Sequence, residues 1–311
     1  DLIVDGKNAM APSGGKKVGS TTIVNAGEKL SSVGIVEIHV KNDMVKTVTP
    51  IRITAQDVKN PKASPLAKAV GITNVPADAD TLAYVNYVKS AYAKMMKMPT
   101  MPTKAVEEAK VTAPAAKEEA TVKEAAAPAM VKETKKMPVV ADDVIVKSYD
   151  GEKNFNLYVV HTNDVHGRIE ASSSNVGYAR LSTLLKMGRS VTDKALVLDA
   201  GDVTHGTLLT NMFEGETAGV LLTMLGYDAV APGNHDFNYG KERIIEAAKL
   251  AHEYTDMKIL SANVLDEKGN MVFQPYQLYY FDGFTVAVVG LTTPDTETKT
   301  HPKNVEGLSF M

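Results

Sequence analysis

An interruption in the middle of the chain limits its possible folds more than any other feature. From Met101 to Val140 the sequence reads MPTKAVEEAKVTAPAAKEEATVKEAAAPAMVKETKKMPVV, and no aromatic residue occurs between Tyr92 and Tyr149. Ordering a backbone costs roughly 1–2 kcal/mol per residue, and this stretch carries too little large apolar surface to offset that cost. Its Ala, Glu and Lys residues favour transient helix, while Pro102, Pro114, Pro128 and Pro138 interrupt any helix that starts. The expectation is a semi-extended tether over residues 99–141, separating a segment 1–98 from a segment 142–311.

Composition narrows the classes of function. The 44% hydrophobic and 23% charged residues are close to globular averages, so each flanking segment has the means to bury a core. A formal net charge of −3 provides no basic stripe of the kind that binds nucleic acid or an anionic membrane surface. No apolar run reaches the ~18 residues of a membrane-spanning helix. The absence of cysteine removes disulfides, thiolate catalysis and thiolate-bound zinc, so a metal site here must use His, Asp, Asn or Glu. The first residue is Asp1 rather than Met, and the sequence is expected to be a window onto a longer protein or one that has lost a leader.

The two segments differ in pattern. Before the tether, apolar runs at Leu2–Val4, Thr21–Val24 and Val33–Val40 predict strands, and Leu82, Val85, Val88 and Tyr92 predict one face of a helix over 77–98. After the tether, strand and helix alternate. Strands are predicted at Phe155–His161, Ala195–Leu198, Ala229–Val230 and Lys258–Leu260, and helices at Gly177–Met187, Thr217–Leu225 and Lys241–His252. A hairpin around Asp282-Gly283 joins Gln277–Phe281 to Thr285–Val289. This is the pattern of an α/β layered fold, in which sites form in loops at the carboxyl ends of strands.

Three polar clusters occupy such positions: His161-Thr-Asn-Asp164-Val-His166-Gly, Gly201-Asp202-Val-Thr-His205-Gly and Gly233-Asn234-His235-Asp236-Phe. Each alone reads equally well as a polar turn satisfying its own backbone. Together, after three successive strands, they read as a metal site. Asp164 and His166 offer a carboxylate and an imidazole two residues apart, Asp202 between glycines offers a carboxylate able to bridge two cations, and Asn234 offers a neutral oxygen. This donor set suits Mn, Zn, Fe, Mg or Ca, and spacing does not choose among them.

HTNDVHGR, GDVTHG and GNHDFNYG resemble the first three motifs of the calcineurin-like metallophosphoesterases. The surrounding LLTMLGYDAVAPGNHDFNYG, ILSANV and VAVVGLTTPDT resemble the bacterial secreted 5′-nucleotidase and 2′,3′-cyclic-nucleotide phosphodiesterase group over residues 155–297. The resemblance implies a layered metallophosphoesterase-type β-sandwich flanked by helices, and two divalent metal ions. Asp164, His166 and Asp202 would hold one ion, and Asp202 and Asn234 the second. His235 would act on the phosphoryl group of a nucleotide or other phosphate ester. It also implies an extracellular, periplasmic or cell-surface location. Many relatives carry Asp, orienting the catalytic histidine, where this chain has Asn238. The family's later G-H and G-H-x-H motifs, which supply further histidine ligands, are absent before Met311, and His301 lacks their context.

The first segment, DLIVDGKNAMAPSGGKKVGSTTIVNAGEKLSSVGIVEIHVKNDMV, resembles the end of the same type of domain, where the family reads D-G-H-S-H and this chain reads Asp5-Gly6-Lys7-Asn8-Ala9. Residues 1–98 are therefore expected to be the back of a degenerate copy, and 142–311 the front of a second. A further strand, helix and ligand loop of the family separate the two, and neither segment supplies them. Two readings follow. One is a phosphoesterase completed beyond Met311. The other is a non-catalytic structural or adhesive surface protein of decayed domains, in which halves of neighbouring chains join head to tail.

Overall fold

A computed structural model of the protein describes residues 1–6, 15–64, 71, 73–97 and 154–311; the predicted tether, Lys7, Asn8 and Ala9 lie outside the described residues. The longest strands come from the first segment. Strand β4 (Ser32–Lys41) and strand β5 (Met44–Thr54) form an antiparallel pair about the Asn42-Asp43 turn, where both residues adopt left-handed backbone. Alternation along β4 divides its side chains between two layers. Val33 and Ile35 face one hydrophobic cluster, and Val36, Ile38 and Val40 face another.

The open edge of β4 is filled by β6 (Asn154–Thr162), antiparallel, in register from Gly34 opposite His161 to Lys41 opposite Asn154. The sheet then continues in parallel through β7 (Ala195–Asp199), β8 (Ala229–Val230) and β9 (Lys258–Ile259), giving six strands in the order β5-β4-β6-β7-β8-β9. The described residues up to Ala93 and from Asn154 onward belong to one compact unit. The expectation of two separate half-domains thus meets a different arrangement, because strands from both segments lie in one sheet. The physical reason is that each segment leaves a long strand with an unpaired edge and an apolar face, and pairing β4 with β6 covers both.

One face of this sheet packs against helices. The chain supplies α1 (Ala55–Lys59) and α2 (Ala79–Lys97) from the first segment, then α3 (Tyr178–Val191), α4 (Leu208–Asn211), α5 (Glu216–Leu225) and α6 (Lys241–Tyr254). Val85 and Val88 of α2 share a core with Tyr178, Leu181 and Leu185 of α3 and with Ala218, Leu221 and Leu222 of α5. The predicted apolar face of α2 needs one change: Leu82 is 40% exposed and Thr81 is buried in its stead, its hydroxyl donating to Asp78 at the helix start. The other face of the sheet packs Val36, Ile38, Leu157 and Val159 against small sheets. These are the three-stranded β1-β3-β2, of Leu2–Val4, Thr21–Val24 and Lys16–Val18, and the predicted hairpin of β11 (Tyr276–Phe281) and β12 (Phe284–Val289). In a second small sheet β10 (Val264–Asp266) pairs with β13 (Leu308–Phe310), and a final short helix, α7 (Thr296–Lys299), precedes β13. The expected β-sandwich flanked by helices is thus a central mixed sheet with helices on one side and small sheets on the other.

Gly34 shows how closely the two segments fit. A Cβ at this position would fall inside the imidazole of His161 on β6, so the ring lies flat over the bare backbone of β4. His161 is 2% exposed, and burial, with the nearby Arg52 guanidinium, holds its pKa down to about 3. The Gly34→Ala variant is expected to lose about 1–3 kcal/mol of stability from overpacking, and adding His161→Ala is expected to return part of it in chemical denaturation. A protease site introduced between residues 98 and 148 and cleaved in the folded protein is expected to leave the two fragments eluting together until denaturant is added. Fragments that separate in native buffer would contradict the shared sheet.

Candidate metal centre

The three predicted clusters follow β6, β7 and β8 at their carboxyl ends and converge there. The first two loops are sewn together through their backbones: Asp164 N–H donates to Gly201 O (2.9 Å), His166 N–H to Asp202 O (2.8 Å) and Gly167 N–H to Val203 O (3.0 Å). The third joins through Asp202, whose Oδ1 accepts the His235 N–H at 2.8 Å. Asp164, His166 and Asp202 all adopt left-handed backbone, with φ of 49°, 48° and 58°. Non-glycine residues take this conformation at some cost, and it is tolerated where the surrounding hydrogen bonds over-determine it.

The geometry gathers the predicted residues unequally. Donor atoms of His166, Asp202 and His235 all lie within 4.8 Å of one another. His166 Nε2 is also 3.8 Å from Asp164 Oδ1 and 4.0 Å from Asp202 Oδ2. Asn234 is buried in the 3₁₀ turn Asn234–Phe237, and its carbonyl accepts the Thr300 hydroxyl at 2.7 Å. His235, predicted to act on the phosphoryl group and not as a ligand, stands within the gathered group. Its Nδ1 lies 2.9 Å from Asn238 Nδ2, so the position where many relatives carry Asp is filled by an amide in contact with the ring. His205 stacks on His235, with ring centroids 5.5 Å apart and planes 6° from parallel. His161, the first residue of the first cluster, belongs to the sheet core and not to the site. His301 caps the 3₁₀ turn Pro302–Asn304, its Nδ1 accepting the Lys303 N–H.

Sequence reasoning passes over two residues that hold these loops. Asp236 is buried, and its carboxylate accepts N–H groups of Asp202, Val203, Thr204 and Gly233 and the Thr204 hydroxyl, at 2.8 to 3.0 Å. Asn163 is 1% exposed and spans the two segments: its Oδ1 accepts the Ala26 N–H (2.8 Å), and its Nδ2 donates to Gly27 O (3.2 Å) and to Asp164 Oδ2 (2.6 Å). Lys29 N–H donates to Asp164 O at 2.6 Å. Asp5-Gly6, at the point where the resemblance places the family's late ligand loop, comes equally close. A Cβ on Gly6 would collide with the Ala200 carbonyl beside the Asp202 loop.

Burial pushes the Asp164 carboxyl up to about 6, and the neighbouring Asp202, Glu28 and Asp5 add to the rise while the Asn163 amide opposes it. Asp202 is likewise raised, first by burial and then by Asp236. Carboxylates crowded into a partly water-excluded pocket beside imidazoles form a site where a divalent cation relieves both desolvation and repulsion. The donors are oxygen and imidazole nitrogen without sulfur, which fits Mn, Zn, Fe or Mg. Among the described residues, His166, Asp202 and His235 form a group that could hold one cation.

The family model described as calcineurin-like phosphoesterase matches residues 157–297. The chain is 31% identical to a 5′-nucleotidase of Vibrio cholerae over 170 residues, which are 53% of this chain and 30% of that protein. It is 34% identical to a 5′-nucleotidase of Bos taurus over 164 residues, covering 48% of this chain and 28% of the other. Among solved structures, a 5′-nucleotidase precursor from Thermus thermophilus is 33% identical with a TM-score of 0.43, over 50% of this chain and 32% of that one. The chain spans about three tenths of the length of these curated relatives. Through residues 157–297 the chain carries a calcineurin-like metallophosphoesterase domain related to the 5′-nucleotidases.

Proposed function

We propose that this domain is a metal-dependent hydrolase of phosphoric esters that acts on nucleotides in the manner of a 5′-nucleotidase. The observation that carries the reading is the convergence of His166, Asp202 and His235 at the ends of three parallel strands. Support for nucleotides as substrates comes from the 5′-nucleotidases to which the chain is similar. In this reading Asp164, His166 and Asp202 hold one cation, and Asp202 and Asn234 contribute to a second. Bound divalent cations would supply Lewis-acid stabilisation of the phosphoryl oxygens and a water activated for in-line attack. The chain's own part is to hold the ester and move a proton. An Asn238 amide N–H donated to His235 Nδ1 leaves the ring proton on Nε2, the nitrogen able to donate to a phosphoryl or leaving-group oxygen. Location outside the cytoplasm is part of the same reading; among the described residues no helix is long and apolar enough to cross a membrane.

One observation favours a second reading. Among the described residues one group of His and Asp side chains is gathered closely enough for a cation, and the family's chemistry uses two. That matches a non-catalytic surface protein built on decayed phosphoesterase domains, whose halves would join between chains by the pairing that β4 and β6 make within one.

With Mn or Zn added, the full chain is expected to release phosphate from AMP, and His235→Ala is expected to lower kcat by about 10²- to 10³-fold. Absence of turnover in protein that retains its metal would favour the second reading. Asp202→Asn is expected to lower the metal bound per chain in equilibrium dialysis. Equal metal content in variant and parent would rule out the ligand assignment. His235→Ala is expected to keep its metal, and loss of metal would move His235 into the ligand set.

A further inference from the structure

Beside the metal loops lies a cavity of about 480 Å³, lined by Lys29 from the first segment and by residues between 167 and 175 and between 207 and 209 from the second. That volume is in the range of small-molecule sites, about 300–1,000 Å³. Its position is fixed by the metal centre. Gly167 follows His166, Thr207 follows Gly206, and the two walls are tied by the Thr207 hydroxyl donating to Gly167 O at 2.9 Å. Lys29 is anchored there by its backbone bond to Asp164 O, in left-handed conformation with φ of 57°.

The charge of the cavity is uncommon. Arg168 is half-buried in its wall, and its guanidinium has no hydrogen bond or ion pair among the described residues. A guanidinium carries donors in a rigid fork and is ordinarily matched when partly withdrawn from water. The Lys29 ammonium has a loose partner, Glu28 at 3.6 Å, with both side chains more than half exposed. The acidic side chain of the cavity wall, Glu170, is already paired with Lys89 at 2.7 Å. Two cations from two segments therefore face a cavity whose own carboxylate is engaged, and Leu208 at the rim is 66% exposed and offers an apolar face.

We propose that this cavity is a second anion-binding subsite, in which Arg168 and Lys29 take a phosphate group of the substrate other than the one cleaved. The domain would then prefer nucleotides bearing a diphosphate over nucleoside monophosphates. Arg168 engages the anion bidentately, Lys29 acts as a point charge, and Leu208 supports the base or sugar. The identity of the occupant rests on the proposed phosphoesterase function. The binding of an anion at Arg168 does not.

The test is calorimetric titration of the full chain, treated with chelator and dialysed, with inorganic pyrophosphate, ADP and AMP. The expected result is tighter binding of pyrophosphate and ADP than of AMP. Arg168→Ala is expected to weaken pyrophosphate binding about tenfold or more, Arg168→Lys less, and Lys29→Ala by a few-fold, with thermal unfolding and bound metal unchanged. In the metal-loaded chain Arg168→Ala is expected to raise KM for ADP and to leave hydrolysis of p-nitrophenyl phosphate, which has no second anion, as in the parent. Pyrophosphate that fails to bind the parent, or binds Arg168→Ala as tightly, overturns the subsite. Binding that depends on Arg168 in a chain without phosphatase activity supports the subsite and removes the phosphoesterase reading.

Discussion

The antiparallel pairing of β4 with β6 is the contact on which the rest of this structure depends. It runs from Gly34 opposite His161 to Lys41 opposite Asn154 and joins segments separated by the low-complexity stretch. Without it β6 would have an open edge on one side, and Val36, Ile38 and Val40 would lose Leu157 and Val159 from their cluster. With it, the carboxyl end of β6 emerges beside the turn Asn25–Lys29 that leads into β4. A register shift by one residue would turn every side chain of β6 to the opposite face, so the glycine at 34 and the buried ring at 161 also fix alignment.

That alignment determines the shape of the metal centre. Asn163 follows β6 directly, and its amide is bonded to Ala26 and Gly27 on one side and to the Asp164 carboxylate on the other. The first segment supplies none of the gathered donors among the described residues, yet it holds one of the loops that do. Asp236 performs the same task from the third loop, using four hydrogen bonds to keep the Asp202 loop in a backbone conformation that costs of order 1–3 kcal/mol per strained residue. Asp is among the residue types least penalised there, because a short polar side chain can bond locally. The carboxylates thus serve in two ways: Asp236 shapes the loop, and Asp164 and Asp202, raised by burial, face the pocket.

Much of this is legible in the chain because its signals are local. The β-branched runs, the Asp282-Gly283 turn and the position of each polar cluster after an apolar run follow from neighbours in sequence. Strand β5 escapes prediction because Pro50 and a series of charged and exposed residues disguise it, and an edge strand tolerates both. Spacing places Leu82 in the core because it does not distinguish a helix face from one rotated by a residue, and the cap bond of Thr81 to Asp78 decides it. Asn163 and Asp236 look in sequence like any turn residue. Their importance lies in partners 137 and 32 to 34 positions away, which no local pattern encodes. The joining of the segments is hidden for the same reason.

Strand β4 of residues 1–98 precedes in sequence the strand β6 it pairs with, across the low-complexity stretch, and sheet formation is largely indifferent to that separation. Closing a flexible loop costs only about 0.6 kcal/mol more for each doubling of its length, so a long connection between β4 and β6 weighs little against a shared core. The same entropy argument bears on whether β4 meets the β6 of its own chain or of another. A segment tethered to its partner experiences an effective concentration that reaches the millimolar range for short flexible links and then falls roughly as the −3/2 power of length or more steeply. Where that effective concentration exceeds the micromolar concentration of an ordinary protein solution, pairing within the chain is favoured. Joining between chains requires crowding at a surface or a connection too short or too stiff to let the strands meet.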